Sequence, residues 1–152
     1  MESLTTDSSK YFNAIKKELQ HIGIYANQAL KFQYCEISQL LTYAYSVNCI
    51  VGERNYLSIK TWNAGYDNKR FGVVYNIDRL AITENRLNIH DNELFEINNL
   101  LANDLAVMKS GNIVIDGLYC ELKYNNVILN WNTDMEMNTC LYGLVNYIRN
   151  FV

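Results

Sequence analysis

Between Ile113 and Trp131 the chain writes a short apolar run, a turn, a clean two-residue alternation, a second turn and a return. Leu118, Cys120, Leu122 and Tyr124 are apolar, while Glu121 and Lys123 point the other way. A period of two places successive side chains on opposite faces of a sheet. Asp116-Gly117 and Asn125-Asn126 supply the residues that tolerate positive φ in tight hairpins. Connections this short join antiparallel strands only. The segment therefore predicts a three-stranded meander, Ile113–Ile115, Leu118–Tyr124 and Val127–Trp131, one of whose faces must be covered.

The cover comes from helical periodicity elsewhere. Leu141, Leu144, Val145, Ile148 and Phe151 recur at helical spacing and predict a closing helix over about 135–151. Leu94, Ile97, Leu101 and Leu105 predict another over 92–107, capped by Asp91 or Asn92. Near the start, Tyr11, Phe12, Ile15, Leu19 and Ile22 predict a helix capped by Asp7 or Ser8 and closed by Gly23. Leu30, Tyr34, Ile37, Leu41, Ala44 and Val47 form a stripe that predicts a long helix over 26–51, with Lys31, Glu36 and Gln39 off it. The period then shifts to two. Tyr56 to Trp62 reads as a strand, 64–68 as a loop, Phe71 to Ile77 as a strand and Leu80 to Thr83 as a short one, with Leu87 and Ile89 available for an edge. Helices and strands run in blocks rather than alternating, so the expected class is α+β: an antiparallel sheet packed with about four helices. Residues 1–7 are expected to be disordered, and 8–152 to form a single domain.

Several function classes are disfavoured by what the chain contains. Thirteen Lys and Arg against sixteen Asp and Glu give a net charge of −3, and the basic residues are scattered, so no stripe exists to follow a phosphate backbone. Nucleic acid is not expected as a partner; a basic protein fits an acidic surface better. Met1 to Asp7 carries neither a basic nor an apolar region of a signal peptide, and no apolar run reaches the ~20 residues of a membrane span. A cytoplasmic location away from membranes is the expectation. The four cysteines lie far apart among apolar neighbours, which suits buried free thiols rather than zinc ligands. His21 and His90 sit at element boundaries without HxxxH or HExxH spacing, and no GxSxG, GxxxxGK[ST] or GxGxxG occurs. No catalytic set, metal or cofactor is expected. The absence of proline and the wealth of Asn, Ile, Lys and Tyr have the cast of an AT-rich bacterial genome, with asparagine taking the turns.

Two sets of residues remain as candidates. Asp116 followed by Glu121 and Lys123 on a strand resembles the metal site of many nucleases, where two carboxylates hold Mg²⁺ and a lysine orients water. The Asp-to-Glu gap is shorter than such sites use, and Glu121 and Lys123 equally suit the solvent face of a half-buried strand. The other set is a partner surface. Trp62 and Tyr66 flank a predicted loop, and tyrosine and tryptophan are the commonest interface anchors; Asp78, Glu84 and Asp91 form an acidic edge suited to a basic partner. An aromatic pocket that senses a small ligand is a third possibility.

The run Ile115-Asp116-Gly117, Tyr119, Glu121-Leu122, Trp131 and the helix through Leu144 and Ile148 resembles the C-terminal pattern of small bacterial immunity-type proteins, which neutralise toxins. The likeness covers about the last forty residues; the chain lacks a second Trp beside Trp131 and a following Pro-x-x-Trp. It implies a non-enzymatic inhibitor that binds and occludes a cognate toxin through acidic and aromatic surface residues. The alternative is a metal-dependent nuclease or hydrolase built on Asp116, Glu121 and Lys123.

Overall fold

A computed structural model describes residues 4–71, 79–109, 117–132 and 135–152. The chain is α+β. Helix α1 (Leu4–Gln20) precedes strands β1 (Ala29–Ser38), β2 (Ala44–Val51) and β3 (Tyr56–Trp62). Helix α2 (Ala64–Phe71), strand β4 (Ile82–Asn88) and helix α3 (Asp91–Leu101) follow. Strands β5 (Val107–Lys109), β6 (Leu118–Tyr124), β7 (Val127–Asn132) and β8 (Met135–Met137) lead to helix α4 (Thr139–Arg149). Six strands form one antiparallel sheet in the order β4-β3-β2-β1-β6-β7, and β5 pairs with β8 in a small separate ribbon.

The register assigns each side chain to a face. On one face Phe32, Tyr34, Val47, Leu57, Ile59, Leu122 and Trp131 pack with Ile97 and Leu101 of α3 and Leu141, Leu144 and Ile148 of α4. Residues of opposite parity, Ile37, Ala44 and Trp62, pack with Tyr11, Ile15 and Leu19 of α1. The sheet is thus the middle of three layers, with α1 on one side and α3 and α4 on the other.

That arrangement explains the largest departure from expectation. Residues 26–51 are not a helix but the hairpin β1–β2, turned at 39–43. Both strands are central and covered on both faces, so they are buried without interruption from Phe32 to Ser38 and from Ala44 to Ile50. A strand buried on both sides shows no polar alternation, and its apolar residues then satisfy helical spacing as readily as strand spacing. The turn gives no warning either: it contains no glycine or proline, and Leu41 takes the left-handed conformation at φ 57.

Smaller differences have local causes. Loop 64–68 is instead the start of α2, where the Asn63 carboxamide accepts the Tyr66 N–H. β4 is one strand where two fragments were expected, and it is an edge. The strand expected over Phe71 to Ile77 falls on residues 72–78, outside those described, apart from Phe71, which closes α2. α3 starts one turn position earlier, with the Glu93 carboxylate accepting the His90 N–H, and ends at Leu101; Leu105 is buried from the loop beyond. Met135–Met137 is spent as β8, so α4 begins only after Asn138, whose side chain accepts the Leu141 N–H. Of the expected meander, β6 and β7 pair around Asn125-Asn126, both at positive φ, while Ile113–Ile115 lies outside the described residues.

α1 also takes in residues 4–7 and stops three residues short of Gly23. Its terminal carbonyls are satisfied by the sheet instead. Lys60 Nζ donates to the carbonyls of Glu18 and His21, Ser46 Oγ to that of Leu19, and Gln33 Nε2 to that of Gln20. A cation at the negative end of the helix adds favourable electrostatics.

Candidate binding surfaces

The nuclease-like residues come first, because the geometry is most explicit there. Glu121 is 5% exposed and lies beneath α1, not on a solvent face. Its Oε2 accepts from Gln20 Nε2 at 3.0 Å and Tyr119 Oη at 2.9 Å and pairs with Lys16 Nζ at 3.0 Å. Lys123 stands 3.8 Å from Oε1. Burial alone would raise the Glu121 pKa, but the donors Lys16, Gln20 and Tyr119 together hold it below the usual carboxylate value. A carboxylate saturated in this way ties α1 to β6 and leaves a metal ion little to bind. Asp116 falls outside the described residues, among which no three His, Cys, Asp or Glu groups converge on a possible metal position.

A pH prediction follows. A depressed folded-state pKa contributes stability above the unfolded carboxylate value, and that stability is lost as pH falls through the folded value. Thermal midpoints from pH 7 to pH 3 should therefore show Glu121→Gln less stable than the parent at neutral pH. The gap should narrow as pH falls below the ordinary glutamate value of about 4.3. Parallel curves over the whole range would rule out the depressed carboxylate.

A second buried carboxylate was hidden by the helix reading of 26–51. Glu36 pairs in register with Cys120, and Cys35 with Glu121, so the two glutamates leave neighbouring strands on opposite faces. Glu36 Oε1 accepts from Tyr34 Oη at 2.5 Å and from Arg149 Nε at 2.6 Å, with Arg149 Nη2 at 2.5 Å. Burial and then the Glu36 carboxylate push the Tyr45 and Tyr43 hydroxyls upward. Arg149 is raised by Tyr34, Glu36 and Tyr45, which outweigh its own desolvation. The cluster pins the last turn of α4 to β1.

The residues expected to meet a partner do not form one patch. Trp62 is 3% exposed; it meets the Tyr11 ring edge-on at 5.6 Å and donates its indole N–H to Asp67 at 2.8 Å. It closes the α1 core and is not presented at the surface. Tyr66 on α2 is 54% exposed. Glu84 on β4 accepts from Arg86 Nε at 2.8 Å, and its pKa is lowered chiefly by that bond. Asp91 opens α3. Tyr66 and Asp91 lie beyond opposite ends of β4, whose seven residues span about 20 Å. Asp78 lies outside the described residues.

Two open surfaces stand out among the described residues. One is the outer face of α3, where Asp91, Asn92, Phe95, Glu96, Asn98 and Asn99 are all exposed and Phe95 stands 66% clear. No lysine or arginine occurs from Asp91 to Met108. Burial first, and then the Glu93 and Glu96 carboxylates, raise the Tyr147 hydroxyl on neighbouring α4, a local sign of negative potential. The other is a cleft of about 420 Å³ at the far corner of the sheet, between Tyr25, Arg54, Tyr56 and Arg86. The sequence named Asp91 and Glu84 at the margins of these surfaces but missed Phe95, Arg54 and Arg86. A helical Phe beside an apolar stripe reads as core, and the arginines become neighbours only once β3 and β4 pair. Among the described residues no helix is long and apolar enough to cross a membrane. No protein-family model, curated protein or solved structure matches the chain.

Proposed function

We propose that this chain is a non-enzymatic protein-binding module, an immunity-type inhibitor that works in the cytoplasm by covering a basic toxin domain. The observation that carries the reading is the outer face of α3: a largely exposed Phe95 set among Asp91, Glu96 and neutral amides, with no cation on the helix. An aromatic anchor ringed by polar groups is the usual anatomy of a binding hot spot. Its one-signed field would select a basic partner and speed the encounter. The sealing of Glu36 and Glu121 in ion pairs supports the same reading, since it ties up the carboxylates a hydrolase would use.

The test is a pull-down from the source organism with the tagged chain and its variants side by side. One stoichiometric basic protein should be retained by the parent. Phe95→Ala should weaken that complex about 30-fold, corresponding to about 2 kcal/mol. Asp91→Lys with Glu96→Lys should slow association and remove its salt dependence. Exposed positions make these variants safe for folding. An acidic partner, or one indifferent to both variants, would reject the α3 surface. Loss of a metal-dependent hydrolytic activity on Glu121→Ala would reinstate the enzymatic alternative.

A further inference from the structure

The helical cover of the sheet stops at one corner, and a preformed cleft opens there. α1 ends at Gln20, and the chain from 21 to 28 turns back to enter β1, leaving the ends of β3 and β4 without a helix above them. The walls are fixed by direct contacts. Tyr25 N–H donates to Gln28 Oε1 at 3.1 Å, and Gln28 N–H returns to the Tyr25 carbonyl at 3.0 Å. The β2–β3 turn presses against this loop so closely that a Cβ on Gly52 would sit 3.0 Å from the Asn27 carbonyl. Gly52 N–H is held by Asn55 Oδ1, and the Asn55 carbonyl receives Ile89 N–H from beyond β4. A cavity of about 420 Å³ with walls this constrained lies in the size range of small-ligand sites.

Its chemistry is specific. The Arg86 guanidinium lies 5.1 Å from the Tyr56 ring centre, an arrangement that pairs cation with π-face. Among the described residues Arg86 is engaged through Nε alone, by Glu84, which leaves its terminal nitrogens as donors. Arg54 makes no hydrogen bond or ion pair among the described residues, and Tyr25 presents its ring at 74% exposure near Arg86. Asn27, Gln28 and Asn88 add carboxamides to the lining, and Glu53 adds a carboxylate, from which an anion held on the arginine side must be turned away. Behind Arg86, its register partner Ser58 is buried with a hydroxyl that lacks a hydrogen bond of ordinary length, although Glu84 lies near.

We infer that this corner cleft binds a small planar aromatic anion, its ring stacked on Tyr25 and its carboxylate or phosphate held by Arg54 and the free end of Arg86. Guanidinium pairs grip either anion through two parallel donors, so no glycine-rich loop is required. The site is separate from the α3 face and independent of the partner proposed for it.

Isothermal titration on the intact chain tests the inference with two families of probe, nucleoside monophosphates and indole-3-acetate. Saturable binding by either family supports it, and the preferred family identifies the anion as phosphate or carboxylate. Tyr25→Ala and Arg54→Ala should each weaken binding about tenfold or more, as expected for loss of a stacked ring or a charge-assisted contact. Phe95→Ala should leave it unchanged. Inorganic phosphate and acetate, which lack a ring, and adenosine and indole, which lack a charge, should bind at least tenfold more weakly. No saturable binding by either family, equal binding of inorganic phosphate, or binding indifferent to Tyr25 and Arg54 would overturn the assignment.

Discussion

Arg149→Met should lower the free energy of unfolding by about 3 kcal/mol, the low end for breaking a buried ion pair because the arginine itself is partly exposed. The side chain removed is long and partly in water; the damage is to what it leaves behind. Glu36 sits under α4 with two arginine nitrogens and the Tyr34 hydroxyl on one oxygen. Without Arg149 the carboxylate remains enclosed among phenols and the Cys120 thiol, itself pushed up to about 12 by burial and then by Glu36. Adding Glu36→Gln to Arg149→Met should recover much of the loss, because a neutral amide can still accept from tyrosine while shedding the uncompensated charge. Urea denaturation at constant m-value measures both. A loss below about 0.5 kcal/mol in the single variant would mean that water already reaches Glu36.

Leu19→Ala should cost a similar amount, about 3 kcal/mol within the range for leucine truncations in cores. Leu19 is fully buried at the foot of α1 and belongs to a small cluster with Tyr11, Ile15, Ile37, Ala44, Trp62 and Ala64. A layer held by so few apolar side chains has little to absorb a cavity. Polar ties add to it: three sheet side chains donate to carbonyls at the end of α1, and Glu121 joins Lys16 and Gln20. Native-state hydrogen exchange should therefore show the amides of α1 losing protection in Leu19→Ala well before those of β1 and β2. Uniform loss across all three layers would show that α1 unfolds only with the sheet.

Which parts of this architecture could be read from the residues depends on how each element meets water. The β6–β7 hairpin was legible because Asn125 and Asn126 mark the turn, and α3 and α4 because each has one wet face. β1 and β2 were not, because no face of either is wet. Glu36 was read as lying off the apolar stripe of a helix, whereas it, Gln33, Ser46 and Asn48 are all buried and hydrogen-bonded across strands or to α1 and α4. Buried polar groups carry no periodic signature; their partners lie far along the chain, as the separation of Glu36 from Arg149 shows. The same blindness governs the candidate surfaces. Asp91 and Glu84 were visible as acids, but the reach of Glu121 to Lys16, and of Arg86 to Tyr56, exists only after folding.

The placement of the thiols has a chemical consequence of its own. Cys35 and Cys120 occupy adjacent strands one register step apart, yet they project to opposite sides of the sheet, with Cys49 on the same side as Cys120. The strands stand as a septum between Cys35 and Cys120, so oxidation cannot join them and must act on each sulfur singly. Alkylation of Cys35 then records moments when α1 lifts, and alkylation of Cys120 moments when α4 does. The protein carries a separate chemical clock for each of its two helical layers, readable from the mass that alkylation adds.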